Sequence, residues 1–540
     1  MPELTWIGKS AVVRHHQDVP FQLLEEVPEL SCAEADPDTE NLIVQGDNLA
    51  ALKALLPRYG GQVKCIYIDP PYNTGNEGWV YNDATNSPEI RQWLGSVVGK
   101  EAEDLSRHDK WLCMMYPRLV LLKEFLRDDG LIFISIDENE HRHAELLLDE
   151  IFGVSNRMQT LVWKKSYGGG SKSKHIVNLH EYILCFAKNK AAIPPLMLPP
   201  DEAVLRYYKY KDAKYSSRGP YRLQPLATNS MDSRPNLRYP IPFSGEEIWP
   251  DKQWQWSRDR AMAALAADEL VISKSRGKWS VNYKQYLRDE QGTERGSKLY
   301  SIIDKIYTQQ GTNQIEDIFG NGKIFSFPKP PALIQLLLSL ATDADSLVLD
   351  SFSGSGTTGH AVLALNAADG GSRRFVLVEM DKEIARNITS ERVRRIATGY
   401  QNAKCEKVPG LGGGFRFARL GKTLFDECGE IREDVKFEEL AEFVFFRETG
   451  RPLPKLARGK KRTPLLGIHD GRAVYLLFNG ILGDHSTKGG NVLTPAVFAA
   501  LPKHTGPKVI YATAIRGLTP SRQAREQIKF KQTPYDLPIL

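Results

Sequence analysis

The sequence predicts an α/β protein whose central sheet is mostly parallel and is assembled from two distant parts of the chain. Three apolar runs carry this prediction: residues 63–68, 347–349 and 375–378 are rich in Val, Ile, Leu and aromatic residues, as buried strands are. An acidic residue follows each run directly. Because ligands of open α/β sheets bind outside the carboxyl ends of the strands, these strand ends are the candidate functional positions.

The first run ends in the motif Asp69-Pro70-Pro71-Tyr72. Neither proline can donate to a sheet ladder, and proline fixes its φ, so the direction of the Pro70 carbonyl is preset. The exocyclic amino group of a nucleobase is a poor nucleophile because its lone pair is delocalised into the ring. Two acceptors aimed at its N–H groups, Asp69 and the Pro70 carbonyl, would localise that lone pair, and Tyr72 offers a stacking face for an extruded base. A strand that ends in a capping aspartate is the alternative for an isolated motif of this kind.

The second run leads through Asp350 into the glycine-rich loop S-F-S-G-S-G-T-T-G, residues 351–359, and a helix is predicted from His360 onward. A strand, a glycine loop and a helix in this order bind nucleotide-like ligands, since glycine lets the backbone approach the ligand closely. The third run ends at Glu379, where an acidic residue is placed to bind ribose hydroxyls. The loop is not G-x-G-x-x-G and no Walker lysine follows it, which argues against a dinucleotide or a triphosphate.

These motifs together resemble the amino-group DNA methyltransferases that use S-adenosylmethionine. The D-P-P-Y segment precedes the F-x-G-x-G segment, as in the permuted β group, which includes many N6-adenine methyltransferases and the Mod subunits of type III restriction–modification systems. The resemblance implies a Rossmann-like methyltransferase with a central, mostly parallel, seven-stranded sheet in permuted order. It implies that the target base is held by Asp69, Pro70, Pro71 and Tyr72, and that the cofactor is contacted by Asp47, Lys329, Asp350, Phe352, Gly354, Gly356, Thr357 and Glu379.

Two of these cofactor contacts have a plain structural alternative. Asp47 follows an apolar run and is either a cofactor contact or the cap of a helix. Lys329, in F-P-K-P-P, either meets the cofactor carboxylate or is a solvated lysine before a helix that begins with proline. Asp137, at the end of the predicted strand 128–137, is expected to be structural.

A basic and aromatic segment with three consecutive glycines begins at Val162 and resembles the target-base loop of the same family. Basic residues neutralise phosphates, and a glycine loop can close after the base is flipped. An ordinary solvated hairpin, with residues 181–186 as its return strand, is the alternative. The predicted DNA contacts are Lys164, Lys165, Tyr167, Lys172, Lys174 and His175.

The order of the motifs divides the chain into parts. The two halves of the site are separated by an aromatic and basic stretch that is too long for a loop, which predicts an inserted domain. In the resembling family this position holds the target-recognition domain, and a plain structural insertion is the alternative. The predicted parts are an irregular N-terminal lead, 1–37; the first half of the catalytic core, 38–195; the inserted target-recognition domain, 196–320; the second half of the core, 321–404; and a C-terminal α/β module, 405–540.

Composition narrows the class of protein further. The 540 residues carry a net charge of +5, so a DNA-binding surface must be a local cleft and not a uniformly basic face. The six cysteines are scattered without a C-x-x-C pair, which predicts neither a zinc site nor a disulfide framework. No signal peptide or membrane span is visible in the sequence, and a cytoplasmic enzyme is the expectation.

The sequence therefore predicts a site-specific DNA methyltransferase that transfers a methyl group from S-adenosylmethionine to N6 of adenine in double-stranded DNA, without a metal. It would be the modification subunit of a restriction–modification or phage-defence system. Besides DNA, the candidate partners are a second copy of the chain and a helicase–nuclease restriction subunit; no membrane contact is expected. Two alternatives stay open: a cytosine-N4 methyltransferase, which needs the same amino-group chemistry, and a DNA-recognition subunit for a partner nuclease.

Overall fold

The structure is a computed structural model of the 540-residue chain. It describes residues 4–34, 36–74, 106–168, 175–200, 202–229, 232–456, 461–483 and 491–537, together with Gly95. These residues form two compact units. The first contains residues 1–195 and 300–540, and the second contains residues 196–299.

The strands account for most of the architecture. In chain order they are β1 (Gln22–Glu26), β2 (Leu42–Gln45), β3 (Val63–Ile68), β4 (Leu126–Ile136), β5 (Arg157–Lys164), β6 (His180–Ala187), β7 (Tyr221–Pro225), β8 (Ala227–Thr228), β9 (Ile241–Phe243), β10 (Glu246–Ile248), β11 (Gln253–Trp254), β12 (Leu270–Ser275), β13 (Lys278–Tyr286), β14 (Ile302–Ile303), β15 (Leu347–Asp350), β16 (Arg374–Glu379), β17 (Gly399–Gln401), β18 (Lys407–Pro409), β19 (Arg416–Thr423), β20 (Leu465–His469), β21 (Arg472–Leu476), β22 (Val492–Leu493), β23 (Lys508–Ala512), β24 (Ala514–Ile515) and β25 (Ile528–Gln532).

The helices are interspersed among these strands. They are α1 (Lys9–Val12), α2 (His15–Asp18), α3 (Asn48–Tyr59), α4 (Arg107–Phe125), α5 (His141–Phe152), α6 (Glu202–Leu205), α7 (Tyr215–Arg218), α8 (Arg258–Ala266), α9 (Thr308–Phe319), α10 (Pro331–Ala341), α11 (Thr357–Asp369), α12 (Lys382–Ile384), α13 (Ser390–Thr398), α14 (Phe437–Thr449), α15 (Pro495–Ala500) and α16 (Pro520–Arg525), with a π-helical turn at Ala385–Thr389 before α13. Within the described ranges, no helix combines the length and the apolarity needed to cross a bilayer.

The first unit is built on one large sheet. Its strand order is β1-β19-β2-β16-β15-β3-β4-β6-β5-β14. The strands from β19 to β4 run parallel to one another, whereas β6 is antiparallel to both of its neighbours. The α/β fold class with a mostly parallel sheet is therefore confirmed. Counted over the described residues, the sheet has ten strands, more than the seven predicted, because β1 and β19 extend one edge and β14 extends the other.

The centre of this sheet is buried, as its sequence predicts. All six residues of β3 are buried, which requires cover on both faces and explains its continuous apolar run. Side chains of β2, β3, β4, β15 and β16 share one core with residues of α3, α4 and α5. A capping box at Ser106 and Asp109 fixes the start of α4. The strand ends are thus held by a packed and rigid layer.

Three sequence-based boundaries differ from the units of the structure. The N-terminal segment, predicted to be irregular, contains α1, α2 and β1. Residues 300–320, predicted to belong to the insertion, supply β14 and α9 to the first unit. Strand β19, predicted to lie in the C-terminal module, pairs with β1 and β2 in the large sheet. Strands β1, β14 and β19 carry no local signal that identifies their pairing partners, because those partners lie far away in the chain.

The C-terminal part beyond β19 forms a small sheet of its own, with the order β20-β21-β23-β25. Within it, β21 and β23 are almost wholly buried. A core around α14 and this sheet includes Leu440, Val444, Val474 and Val509.

The second unit, residues 196–299, has its own core. A three-stranded sheet has the order β12-β13-β7, and two-stranded ladders join β9 with β10 and β8 with β11. Leu226, Ile241, Trp254 and Val281 are buried together. A separate core of this kind is what an independently folded inserted domain requires.

Candidate active site

The structure brings the predicted motifs to neighbouring strand ends. Strand β15 lies beside β3 in parallel register, with Leu349 opposite Ile66. On its other side β15 pairs with β16, with Asp350 opposite Leu377. The D-P-P-Y motif after β3, the glycine loop after β15 and Glu379 at the end of β16 therefore lie along one edge of the sheet.

The carboxylate of Asp69 is held by a lysine from the distant half of the chain. Lys329 Nζ lies 2.7 Å from both Asp69 oxygens. The Tyr72 hydroxyl donates to Asp69 Oδ1 at 2.8 Å, and Lys329 Nζ donates to the same hydroxyl at 2.8 Å. The side chains of Lys329 and Asp69 are only 8% and 19% exposed. This ion pair is thus shielded from solvent and is stronger than a surface pair.

A second carboxylate completes this network. Glu181, at the start of β6, lies with Oε2 3.0 Å from the Tyr72 hydroxyl and 3.7 Å from Lys329 Nζ. Its other oxygen, Oε1, accepts a hydrogen bond from Lys165 Nζ at 3.0 Å. The sequence predicts Glu181 only as a strand residue. The signal that could have identified it is a charged residue at the start of an otherwise apolar, buried strand.

The charges of this network shift one another's pKa. Burial raises the pKa of Asp69, and the Lys329 ammonium opposes that rise. Burial also favours neutral Glu181, but Lys329 and Lys165 outweigh it and lower the pKa of Glu181. Burial acts against the Lys329 ammonium, yet Asp69 and Glu181 raise its pKa. The network therefore keeps a buried ammonium between two carboxylates.

A buried tryptophan fixes the backbone of the D-P-P-Y motif. Trp111 Nε1, on α4, donates to the Pro71 carbonyl at 2.7 Å, and the Trp111 side chain has no exposed surface. The next residue but one, Asn73, adopts φ of 57° and donates from its side chain to the Arg107 carbonyl at 3.1 Å. The turn that carries Asp69 and Pro70 is therefore attached to α4 through the residues that follow Pro70.

The glycine loop is organised by two buried carboxylates. Asp350 Oδ1 accepts from the Phe352 backbone N–H at 3.0 Å, and its Oδ2 accepts from the Thr358 hydroxyl. Burial raises the pKa of Asp350 to about 7. Glu379 Oε2 accepts from the Gly354 backbone N–H at 2.9 Å. Glu379 thus contacts the glycine loop, the other segment that the sequence predicts at the cofactor site.

The loop geometry requires glycine and fits a polar ligand. Gly356 caps α11 with φ of 75°, and a Cβ there would lie 3.1 Å from the Thr389 carbonyl oxygen. The hydroxyls of Ser351 and Ser353 are buried and have no hydrogen-bond partner within the described part of the chain. Buried hydroxyls normally have partners. The two hydroxyls could therefore bind polar groups of a cofactor that approaches the glycine loop closely.

Thr357 and Lys329 connect the two halves of the site. The Thr357 hydroxyl lies 3.3 Å from the Lys329 carbonyl and accepts a hydrogen bond from Arg392 Nη1 at 2.7 Å. Lys329 therefore contacts the glycine-loop helix through its backbone and Asp69 through its side chain. Its predicted contact with a cofactor carboxylate stays a prediction. Arg392, which is fully buried, was not identified from the sequence.

Asp47 has the capping geometry of its structural alternative. It accepts from the Ala50 backbone N–H at 3.0 Å at the start of α3 and pairs with Arg118 at 2.9 Å. The Asp47 side chain is 42% exposed. Capping leaves the other oxygen paired with Arg118, and a cofactor contact at Asp47 stays a prediction.

The predicted DNA-binding segment follows β5. Lys164 ends that strand, and Lys165 pairs with Glu181. Tyr167 is 70% exposed and stacks on Tyr307, with ring centroids 3.5 Å apart. His175 is exposed, whereas Lys172 and Lys174 lie outside the described residues. The exposed residues of this segment stay predicted DNA contacts.

The sheet order and the paired strand-end motifs define a Rossmann-like α/β protein with a two-part site. A family model described as DNA methylase matches residues 63–390. The chain is 32% identical over 424 residues to the StyLTI Mod subunit of a type III restriction-modification enzyme from Salmonella typhimurium. It is 33% identical over 419 residues to the EcoPI Mod subunit from Escherichia phage P1, and 30% identical over 409 residues to the type II methyltransferase M.KpnI from Klebsiella pneumoniae. The chain therefore belongs to this DNA methylase family.

The matched regions differ in how much of each relative they cover. They span 73%, 71% and 68% of this chain for StyLTI Mod, EcoPI Mod and M.KpnI, respectively. They cover 63% and 64% of the two Mod subunits, and 91% of M.KpnI. The chain thus spans less than two thirds of the Mod subunits that it resembles.

Proposed function

We propose that the protein transfers a methyl group from S-adenosylmethionine to N6 of adenine in double-stranded DNA, as the modification subunit of a restriction–modification or phage-defence system. The observation that carries the proposal is the adjacency of the D-P-P-Y turn and the glycine loop at the ends of β3 and β15. One edge of the sheet then holds the nucleophile and the methyl donor side by side. Holding two reactants in a productive geometry supplies a large share of a rate enhancement.

Asp69 is the acceptor that we assign to the target amino group. A carboxylate has about four lone-pair sites. Lys329 contacts both oxygens and Tyr72 contacts Oδ1, which leaves a lone pair on Oδ2 for an amino N–H. The Pro70 carbonyl is the second acceptor in this proposal. Together they localise the nitrogen lone pair before it attacks the methyl group.

In this proposal Lys329 keeps Asp69 ionised, and Glu181 helps to hold the Tyr72 side chain in place. The Lys329 ammonium favours the ionised form of Asp69, which accepts and does not donate. Glu181 and Asp69 share the Tyr72 hydroxyl and hold the ring that a flipped base would stack on. We assign neither residue a role in removing a proton before attack.

The loop after β15 is the proposed cofactor site. S-adenosylmethionine, when bound, supplies an electrophilic methyl group. The chain would hold it through the Glu379 carboxylate for ribose hydroxyls, the hydroxyls of Ser351 and Ser353, and the backbone around Gly354 and Gly356. Two observations support this assignment: the glycine loop, and buried serine hydroxyls that have no hydrogen-bond partner among the residues that the structure describes.

The second unit is the proposed reader of DNA sequence. Its surface carries exposed aromatic residues, among them Tyr207, Tyr210 and Trp249, and Arg260 stacks on Trp256 at 4.2 Å. Guanidinium groups bind phosphates, and aromatic rings stack on bases. The resemblance to Mod subunits supports a helicase–nuclease restriction subunit as the further partner.

The function is tested by methyl transfer. The purified chain is incubated with labelled S-adenosylmethionine and unmodified double-stranded DNA, and the DNA is digested to identify the methylated nucleoside. We expect N6-methyladenine from the unaltered chain. With Asp69→Ala we expect none, while calorimetry still detects cofactor binding. N4-methylcytosine would reassign the base, and no transfer at all by the unaltered chain would favour a DNA-recognition subunit.

A further inference from the structure

Behind the D-P-P-Y turn lies a cluster of two histidines and one glutamate that the methyl-transfer proposal does not use. His108 Nδ1, at the start of α4, lies 2.8 Å from Glu140 Oε1. His143 Nδ1, in the first turn of α5, lies 2.7 Å from Glu140 Oε2. The two imidazole rings are 4.7 Å apart between centroids. The starts of α4 and α5 thus direct nitrogen and oxygen donors to one point.

The Glu140 carboxylate carries a buried negative charge that a bound cation would neutralise. The Glu140 side chain has no exposed surface. Within the described part of the chain, the basic groups that pair with it are the two imidazoles, and the Asn73 amide is a further donor. A carboxylate withdrawn from water is costly unless it is neutralised or coordinates a metal. No lysine or arginine of the described residues supplies that charge by an ion pair at this carboxylate.

The donor set matches a divalent transition metal. One ligand atom from each of His108, Glu140 and His143 lies within 4.8 Å of the other two. Two imidazoles and one carboxylate are a ligand set that zinc uses, with Zn–N distances of about 2.0–2.1 Å. Both imidazoles are about one-third exposed, at 34% and 33%, so they can move inward and an ion can reach them.

We propose that His108, Glu140 and His143 bind one divalent transition-metal ion of the zinc class. Each imidazole binds through Nδ1 and carries its proton on Nε2. The contact of 3.4 Å between Arg107 Nε and His108 Nε2 is then lost, because both nitrogens are donors. Remaining coordination positions are filled by water, since three protein ligands leave a zinc ion open.

The ion acts on the active site through position. The side chain of Asn73 touches Glu140 and the Arg107 carbonyl, and Asn73 directly follows Tyr72. A metal at Glu140 joins the starts of α4 and α5 behind this turn. The ion therefore stabilises the backbone that presents Asp69 and Tyr72, and it takes no part in methyl transfer.

The site is tested with the metal alone on the full chain. Untagged protein is treated with a chelator, dialysed and titrated with Co²⁺, whose visible d–d absorption reports coordination by nitrogen ligands. We expect one Co²⁺ per chain, displacement by Zn²⁺, and a higher melting temperature with Zn²⁺. His143→Ala should lose the absorption and the thermal shift. His504→Ala is the matched control, because that histidine is also half-buried but bonds the Gly471 carbonyl in the C-terminal sheet region.

Two results would overturn the proposal. One is the absence of Co²⁺ absorption and of any Zn²⁺-dependent thermal shift in the unaltered chain. The other is unchanged metal binding in both His143→Ala and His108→Ala, with each variant folded by circular dichroism. Metal binding is measured without DNA or S-adenosylmethionine, so its failure is distinct from a failure of the proposed methyltransferase activity.

Discussion

Replacing Lys329 with methionine tests whether its ammonium tunes Asp69. The two side chains are 8% and 19% exposed, and the ammonium lies 2.7 Å from both carboxylate oxygens. Methionine keeps a long, unbranched side chain and removes the charge. The substitution therefore removes both the charge and the hydrogen bonds through which Lys329 lowers the pKa of Asp69.

The direction of the effect follows from the causes of the shift. Burial already raises the pKa of Asp69, and Lys329 opposes that rise. Without the ammonium the pKa rises further, so the ionised carboxylate persists only at higher pH. Because protonated Asp69 loses acceptor capacity toward the amino group, the rate falls as the pH is lowered through this pKa. The acid limb of the pH–rate profile must therefore move to higher pH in Lys329→Met.

The size of the displacement can be bounded. An opposite charge at short range lowers the pKa of an aspartate by about 1–3 units. We therefore expect the acid limb to move by about 1–3 pH units. Each unit corresponds to about 1.4 kcal/mol. At a fixed pH below both limbs, methyl transfer would fall by roughly 10- to 1000-fold.

The assay is single-turnover methylation at saturating S-adenosylmethionine and DNA across a pH series, which separates the rate from cofactor affinity. Lys329→Arg keeps the charge and should keep the limb near its original position. Lys64→Met is the matched control, because Lys64 is also 8% exposed and lies 2.7 Å from Asp129, an aspartate away from the site. An unmoved acid limb in Lys329→Met, with cofactor bound and the protein folded, would refute the reasoning.

Three further substitutions address other parts of the site. Glu181→Gln removes a charge near Tyr72 and Lys329. We expect single-turnover methylation to slow about tenfold, the equivalent of one hydrogen bond to a charged group. An unchanged rate would argue against a positioning role for Glu181. Gly354→Trp should abolish S-adenosylmethionine binding in calorimetry, and normal affinity would exclude the loop from the cofactor site. Gly356→Ala, at φ of 75°, should lower the free energy of unfolding by about 1–2 kcal/mol in urea titrations, and equal stability would contradict the strain assigned to that position.

Much of the large sheet could be predicted because its strands have strong local signals. The runs at 63–68, 347–349 and 375–378 correspond to β3, β15 and β16, since apolar runs that end at an acidic residue are recognisable without knowing the neighbouring strands. Strand β19 shows the opposite case. Its residues range from buried to exposed at an outer position of the sheet, and nothing local separates it from a strand of the C-terminal module.

The site shows the same division between local and distant information. D-P-P-Y and the glycine loop are contiguous motifs, so they could be identified directly. Trp111, Glu181 and Arg392 act through contacts over 40, 109 and 35 residues, to Pro71, Tyr72 and Thr357. A tryptophan in a helix or an arginine in an amphipathic helix has many ordinary roles, so its sequence context does not reveal which partner it meets.

The sequence by itself determined that this chain has an α/β core and two motifs at strand ends, because backbone conformation and burial at those strands depend on short-range composition. Only the tertiary structure decided that Lys329 binds Asp69 and that Glu181 joins them. It also decided that His108 and His143 converge on Glu140. These contacts depend on how the sheet and its helices pack, and buried charges are neutralised by whichever groups that packing brings within about 4 Å.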